Sequence, residues 1–319
     1  MSKNSSGVKS LLSLFKKKTK SGGITSVVFT GKGVSFAHIQ QTASQPELSF
    51  CEHILSPNPF KDTTRFAELI KSKGLNGTKT LIVMPESSYQ IHLVERPAVP
   101  DEEIADALRW KIKDLIDFDI EHAVIDYIEL PEDAYRGRSR MLYAVAAARN
   151  EIDRRVAWCE SIGLEPIVVD VPELALLNLT EDLADSEAGL AAFFLGDESS
   201  SINLLSDSSL YFTRHLHYNR KVGADDVGAA VLELQRSLDY YESQVGKPPC
   251  VRLLVMPFQP DDTPLMTELR QSLYLDIHSL NLNNLISSSV ELSDDLQQWT
   301  TVAVAAALRS ESLESEGVI

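Results

Sequence analysis

The chain has 319 residues, 44% of them apolar and 24% charged, with a formal net charge of −16. That length and balance suit a globular protein of about two domains with a full core. An acidic surface repels a phosphate backbone, so nucleic acid is excluded as the main partner. Cys51, Cys159 and Cys250 are odd in number, widely spaced and in no CxxC pair, which argues against a disulfide framework or zinc site and for a reducing cytosol. No apolar run reaches the ~18–20 residues of a membrane span, and the first residues lack a signal peptide's apolar core. The expectation is a cytoplasmic protein.

Residues 1–32 hold seven lysines and no acid, a basic arm on an acidic body. Within the tail 1–22, Val8, Leu11, Leu12 and Phe15 share one helical face, and Lys16, Lys17, Lys18 and Lys20 follow. Apolar residues beside clustered lysines suit a helix lying on an anionic membrane, with Leu11, Leu12, Phe15, Lys16, Lys17 and Lys18 as the contacts. A solvated tail is the alternative.

A β-rich block follows. Residues 24–30, 33–40 and 48–55 are short runs rich in β-branched and aromatic residues, the first two joined by Gly31 and Lys32 as in a tight hairpin. A helix over 60–73 and a strand over 78–84 complete the unit. Another strand is expected over 88–96. Pro97 and Pro100 then punctuate the chain, and Asp101, Glu102 and Glu103 open a helix over 104–116 with acids at its positive end. Strands over 123–130 and 140–147 and a helix over 151–161 follow, then a strand over 166–171 and a helix over 173–183. The first pattern then repeats: strands over 190–196, 200–205 and 209–216, a helix over 225–244, a strand over 251–256, and helices over 264–274 and 294–309. Three strands, a helix and a strand thus occur twice, with 86–164 set inside the first copy.

Two such halves with an α/β insertion in the first resemble the actin-like (RNase H-like) two-domain fold, with the insertion placed as in FtsA and PilM. The stretches Arg96–Ile104, Tyr143–Arg149, Gly163–Val171 and Glu233–Gln244 resemble, in the same order, segments of the PilM family of type IV pilus assembly proteins. The helix around Trp110 and the altered loops are most similar to the branch of mannose-sensitive haemagglutinin (MSHA) pilus biogenesis, MshI. The implied organisation is a tail 1–22, a first actin-like domain 23–187 with an insertion subdomain 86–164, and a second actin-like domain 188–319.

An actin-like ATPase wraps phosphates with the backbone N–H groups of two glycine-containing hairpins, each preceded by an aspartate for Mg²⁺, and uses a third, glycine-rich loop at the nucleoside. Here the first hairpin carries Thr30, Gly31, Lys32 and Gly33, and no aspartate occurs before residue 61. In the second, Phe194, Leu195 and Gly196 stand where the family has Asp-Ile-Gly, and Asp197 and Glu198 follow. Carboxylates facing phosphate at ~4 Å repel by roughly 1–4 kcal/mol each. These two are expected in a solvated turn, with a metal role for Asp197 as the alternative. The third loop, Met256–Pro260, has no glycine. A pseudo-ATPase with no cofactor and no catalytic residue is expected, with Mg-ATP binding as the alternative. His215 and His217 alternate on one strand, but no third ligand lies nearby and no metal is expected.

The resemblance implies a scaffold peripheral to the inner membrane. Its partner would be the cytoplasmic N-terminal peptide of a PilN-like (MshJ-type) inner-membrane protein, bound between the first half and the insertion. Other platform proteins and the assembly ATPase are further partners. Trp110, Leu142, Tyr143 and Val145 are the candidate contacts, with a core role as the alternative for Trp110. The competing readings are an active actin-like ATPase and the GspL-like component of a type II secretion system.

Overall fold

The computed structural model describes residues 23–41, 45–135, 139–180, 183, 188–198, 200–220 and 227–309. The candidate membrane contacts Leu11, Leu12, Phe15, Lys16, Lys17 and Lys18 lie outside the described residues.

The first half begins with β1 (Gly23–Thr30), β2 (Gly33–Gln41) and β3 (Pro46–Leu55), an antiparallel meander. Gly33 sits where an added Cβ would run into the backbone of Ile54, so glycine lets β3 pass close to the turn. Helix α1 (Thr63–Ser72) buries Phe66 and Ile70, one turn apart, and leads into β4 (Lys79–Val83), parallel to β1. Further along come α3 (Arg149–Ser161), β8 (Glu165–Asp170), parallel to β4, and the single turn α4 (Pro172–Ala175).

The insertion is its own layer. β5 (Tyr89–Glu95), β6 (Ala123–Glu129) and β7 (Met141–Ala148) form an antiparallel sheet in the order β5-β7-β6. Helix α2 (Ile104–Ile112) covers one face of it with Ile104, Leu108 and Ile112, at i, i+4 and i+8. Arg96 fixes the proline loop by pairing with Asp101 and with Glu129 at 2.9 Å.

The second half repeats the first. β9 (Gly189–Leu195), β10 (Ser200–Ser206) and β11 (Ser209–Leu216) form the meander. Asp207 and Ser208, at φ 48° and 58°, make the left-handed pair that a two-residue hairpin needs. Helix α5 (Val227–Tyr240) runs into a π-helical turn, Tyr241–Val245, that Gly246 ends at φ 79°. Then come β12 (Cys250–Met256), α6 (Pro264–Ser272), β13 (Asp276–Ser279), the single turn α7 (Leu282–Leu285), the bridge β14 (Ser287–Ser288) and α8 (Asp294–Ala307).

The sheet orders are β14-β3-β2-β1-β4-β8 and β11-β10-β9-β12-β13. Each is an antiparallel meander extended by parallel strands, the duplication expected from the repeated pattern. Two differences from the sequence reading stand out. The 276–288 elements were not expected, because each is only two to four residues long, too short for a periodicity to show. The last described elements also do not stay with the second half: β14 pairs with β3, and α8 lies across the first sheet. The main core includes Phe29, Phe60 and Phe66 packed around Trp158, whose Nε1 donates to the Pro59 carbonyl at 2.9 Å.

The two tryptophans of the first half therefore predict opposite outcomes. Trp158→Ala removes a buried aromatic and should cost about 3–5 kcal/mol. Trp110, 77% exposed, should give Trp110→Ala within about 0.5 kcal/mol of wild type. Urea unfolding of both variants checks the contrast.

Candidate functional site

The two meanders present their β1–β2 and β9–β10 turns toward each other across the cleft between the halves. At the first turn, the Thr30 hydroxyl accepts from the N–H of Lys32 at 3.3 Å and of Gly33 at 3.1 Å. Two backbone donors that could meet a phosphate are thus already bonded within the turn. Gly31 lies against the Glu198 carboxylate, which an added Cβ would strike. Lys32 Nζ reaches Asp197 at 3.3 Å.

On the facing turn, Asp197 is only 15% exposed and also lies 3.6 Å from Arg220. The expected solvated turn is therefore a correction for Asp197: its charge is held between two cations at the cleft mouth. Arg220 donates its N–H to the Gly196 carbonyl at 3.0 Å and its guanidinium to the backbone and side-chain oxygens of Gln298, both at 2.9 Å. Lys32 Nζ and Arg220 Cζ each lie 4.8 Å from the centre of the Trp299 ring, a doubly occupied cation–π platform. His53 stacks on Trp299 at 4.6 Å.

The third loop is tied to the same helix. Gln298 Nε2 donates to the Phe258 carbonyl at 2.5 Å, and Gln259 Nε2 donates to Gln298 Oε1 at 3.3 Å. Gln298 and Trp299 of α8 thus brace all three loops.

Deeper in the cleft, His215 on β11 bridges two carboxylates. Its Nδ1 lies 3.0 Å from Glu86, and its Nε2 donates to Glu173. Glu173, buried on α4, also accepts from Tyr89 Oη at 2.7 Å. Burial alone would lower the His215 pKa, but the bonds to Glu173 and Glu86 outweigh it and push it up to about 10. His53 goes the other way: burial first, then Arg220 and Lys32, push it down to about 4. Ser35 donates to the Trp299 carbonyl at 2.7 Å and so accepts from His53 Nδ1 at 2.8 Å, which places a proton on Nδ1. The remaining cavity holds about 120 Å³ and is lined by Phe29, Met84, Phe194, Ser200 and Val302, among others. Pockets for drug-sized ligands run roughly 300–1,000 Å³.

Sequence reasoning singled out Thr30, Gly31, Lys32, Gly33, Gly196, Asp197 and Glu198, and the structure brings them together. It missed Glu86, Tyr89, Glu173, Arg220, Gln298 and Trp299. These come from four separate places in the chain, with no local motif to mark them. His217 is exposed and does not join His215, and among the described residues no group of His, Cys, Asp and Glu is placed to hold a metal.

The candidate peptide contacts on β7 need correcting. Leu142, Tyr143 and Val145 are at most 3% exposed, and β7 is the central strand of its sheet, with no free edge. Tyr143 Oη accepts from Thr213 N at 3.0 Å and donates to Thr213 O at 3.3 Å, joining the insertion to the second half. Trp110 is not core: it points away from the face of α2 that packs on the sheet.

A family model described as type IV pilus assembly protein PilM matches residues 61–227, just over half of the chain. The PilM–PilN type IV pilus biogenesis complex is similar at TM-score 0.71 and 20% identity, over 90% of this chain and 98% of that one. A Bacteroides thetaiotaomicron protein with an actin-like ATPase fold is similar at TM-score 0.52 and 10% identity, over 87% and 95%. The cytoplasmic domain of EpsL, an inner-membrane component of the Vibrio cholerae type II secretion system, is similar at TM-score 0.50 and 12% identity, over 91% and 99%. No curated protein matches the sequence. The fold is actin-like.

The two histidines predict opposite limbs of a stability profile. The raised His215 pKa contributes stability that is complete below about pH 6.5 and lost as pH rises toward about 10. The lowered His53 pKa contributes stability that is complete above about pH 6.5 and lost as pH falls toward about 4. His215→Gln should flatten the alkaline limb of Tm against pH, and His53→Asn the acid limb.

Proposed function

The chain belongs to the PilM family of type IV pilus assembly proteins, and we propose that it is a scaffold of a pilus assembly platform that binds a PilN-like inner-membrane partner and turns over no nucleotide. The observation that carries this reading is the self-occupied cleft. Two backbone donors of the first hairpin are spent on Thr30, an intramolecular carboxylate stands between Lys32 and Arg220, and the space left is small. The aspartates that would hold Mg²⁺ are missing from both hairpins. The residues present do not fit Mg-ATP, so no step is assigned to it. The MSHA-type branch, with a partner of MshJ type, is our finer assignment, and rests on the sequence likeness around Trp110 and the altered loops. Placement in the cytoplasm beside the inner membrane follows the same family reading, and no helix among the described residues is long and apolar enough to cross a membrane.

For the partner peptide we propose the outer edge of β5. Arg96 N donates to Arg140 O at 2.8 Å, which sets the phase of the ladder: even-numbered residues of β5 face β7 and odd-numbered ones face outward. Lys111 Nζ meets the outward Glu95 carbonyl at 2.8 Å, in keeping with that phase. Ile91 and Leu93 thus offer backbone groups at an open edge with half-buried apolar side chains beside them. An extended peptide adds to such an edge as a further strand.

Calorimetric titration with a synthetic N-terminal peptide of the PilN-like operon neighbour should show binding, and Leu93→Arg should weaken it at least roughly tenfold, about 1.4 kcal/mol. Mg-ATP should give no heat and no rise in Tm. Full binding by the Leu93 variant would remove β5 as the site, and micromolar Mg-ATP binding would favour the active ATPase.

The basic tail 1–22 is proposed to hold the scaffold against anionic lipid, each lysine near the surface contributing roughly 1 kcal/mol. Deleting it should lower co-sedimentation with phosphatidylserine vesicles, and added salt should lower that of the full chain. Binding unaffected by the deletion would refute the assignment.

A further inference from the structure

We propose that the two halves are held closed by an internal clasp in which the chain supplies its own anion, the Asp197 carboxylate, so that closure of the cleft requires no ligand. A carboxylate that is only 15% exposed keeps its charge when cations or hydrogen-bond donors compensate it. Here the cations come from opposite sides of the cleft: Lys32 from the first half at 3.3 Å and Arg220 from the second at 3.6 Å. Both rest on the ring of Trp299, and His53 stacks against that ring. The backbone N–H of Arg220 is tied to Gly196 and its guanidinium to Gln298, so the anion meets a fixed cation on one side and the flexible Lys32 on the other. The Glu198 carboxylate packs against Gly31 along the same seam, in the space a side chain at residue 31 would take.

Two further contacts hinge the deeper cleft in the closed state. His215 joins the second half to Glu173 of the first and to Glu86 at the start of the insertion. Tyr143 pairs the insertion with the backbone of β11. In an open state, Asp197 would lose its contact with Lys32 and Trp299 one of its two cations. The clasp therefore biases the molecule toward closure whatever partner it carries, and the inference stands apart from the identity of that partner.

The test is an interspin distance across the cleft in the full chain. Lys71→Cys on α1 and Thr267→Cys on α6 supply exposed label sites, and the three native cysteines are buried. The clasp predicts one narrow distance population without ligand, unchanged by millimolar Mg-ATP. Asp197→Asn keeps the shape and removes the charge, and should add a longer population of at least roughly 10%, the scale of a detectable minor state. Lys32→Gln, at a half-exposed side chain, tests the same contact should the Asp197 variant fail to fold, and should give the same longer population. A broad ligand-free distribution that Mg-ATP narrows would overturn the proposal, as would a single narrow peak in the folded Lys32→Gln variant. Loss of peptide binding at β5 would leave these outcomes unmoved, so the two proposals fail separately.

Discussion

The return of β14 and α8 to the first sheet is the constraint on which the rest of the structure depends. Helix α8 lies across β1, β2 and β3 with Ala303, Ala305, Ala306 and Ala307 fully buried, and small side chains let helix and sheet backbones approach. Ser26 Oγ donates to the Ala303 carbonyl at 2.6 Å, so a small polar residue on a central strand binds the helix directly. Asn178 donates to the Ala305 carbonyl at 3.0 Å, and Arg309 pairs with Asp170 at 2.8 Å at the helix end. Burial raises the pKa of the Asp170 carboxyl, and Arg309 with the Val171 N–H opposes that rise. Because α8 follows the second half in sequence and packs on the first, it crosses the cleft, and that crossing puts Gln298 and Trp299 among the three loops.

Each contact of the clasp is individually small, enough to bias closure but not to carry the fold. Lys32 is about half exposed, and ion pairs of that kind are worth roughly 0–1 kcal/mol. A cation on an aromatic ring adds about 0.5–2 kcal/mol, depending on desolvation. Either value is small beside the hydrophobic term of a core that includes Phe29, Phe36, Phe66 and Trp158. What these contacts fix is how the turns face each other. The cleft remains polar, as in a ligand site, yet its charges are largely matched within the chain: Lys32 and Arg220 against Asp197, His215 against Glu173 and Glu86.

The local elements were legible in the sequence because their periods were clean. Buried strands such as β1 and β9 read as near-continuous apolar or small runs, and α2 showed its Ile104, Leu108 and Ile112 stripe. The duplication was legible because the same element order recurred. The placement of α8 was not, since an Ala-rich amphipathic helix packs as well on either sheet, and only tertiary structure selects one. The cleft was half legible. Missing aspartates and glycines marked what the loops lack, whereas their replacements, Arg220 and Trp299, carry no pattern that distinguishes a surface cation and a core aromatic from a clasp. Tyr143 misled for a related reason: an aromatic in an apolar strand reads equally as groove wall or core, and sheet order decides it.

A nucleotide-dependent actin-like protein uses ligand chemistry to couple its halves, so its cleft must stay able to empty. Once the chain supplies the anion, coupling between the halves no longer depends on an external ligand, and the cleft becomes part of the frame. The insertion then inherits a fixed position: Tyr143 on β11, and Glu86 and Tyr89 on the His215 and Glu173 pair, hold its sheet against a closed body. Its α2 face and β5 edge remain outward. A rigid frame lowers the ordering cost of an extended partner, because only the peptide loses freedom on binding. On the proposed reading, the altered phosphate loops and the outward edge of the insertion go with one physical change, from a cleft that closes on a ligand to one that is already closed and presents an edge.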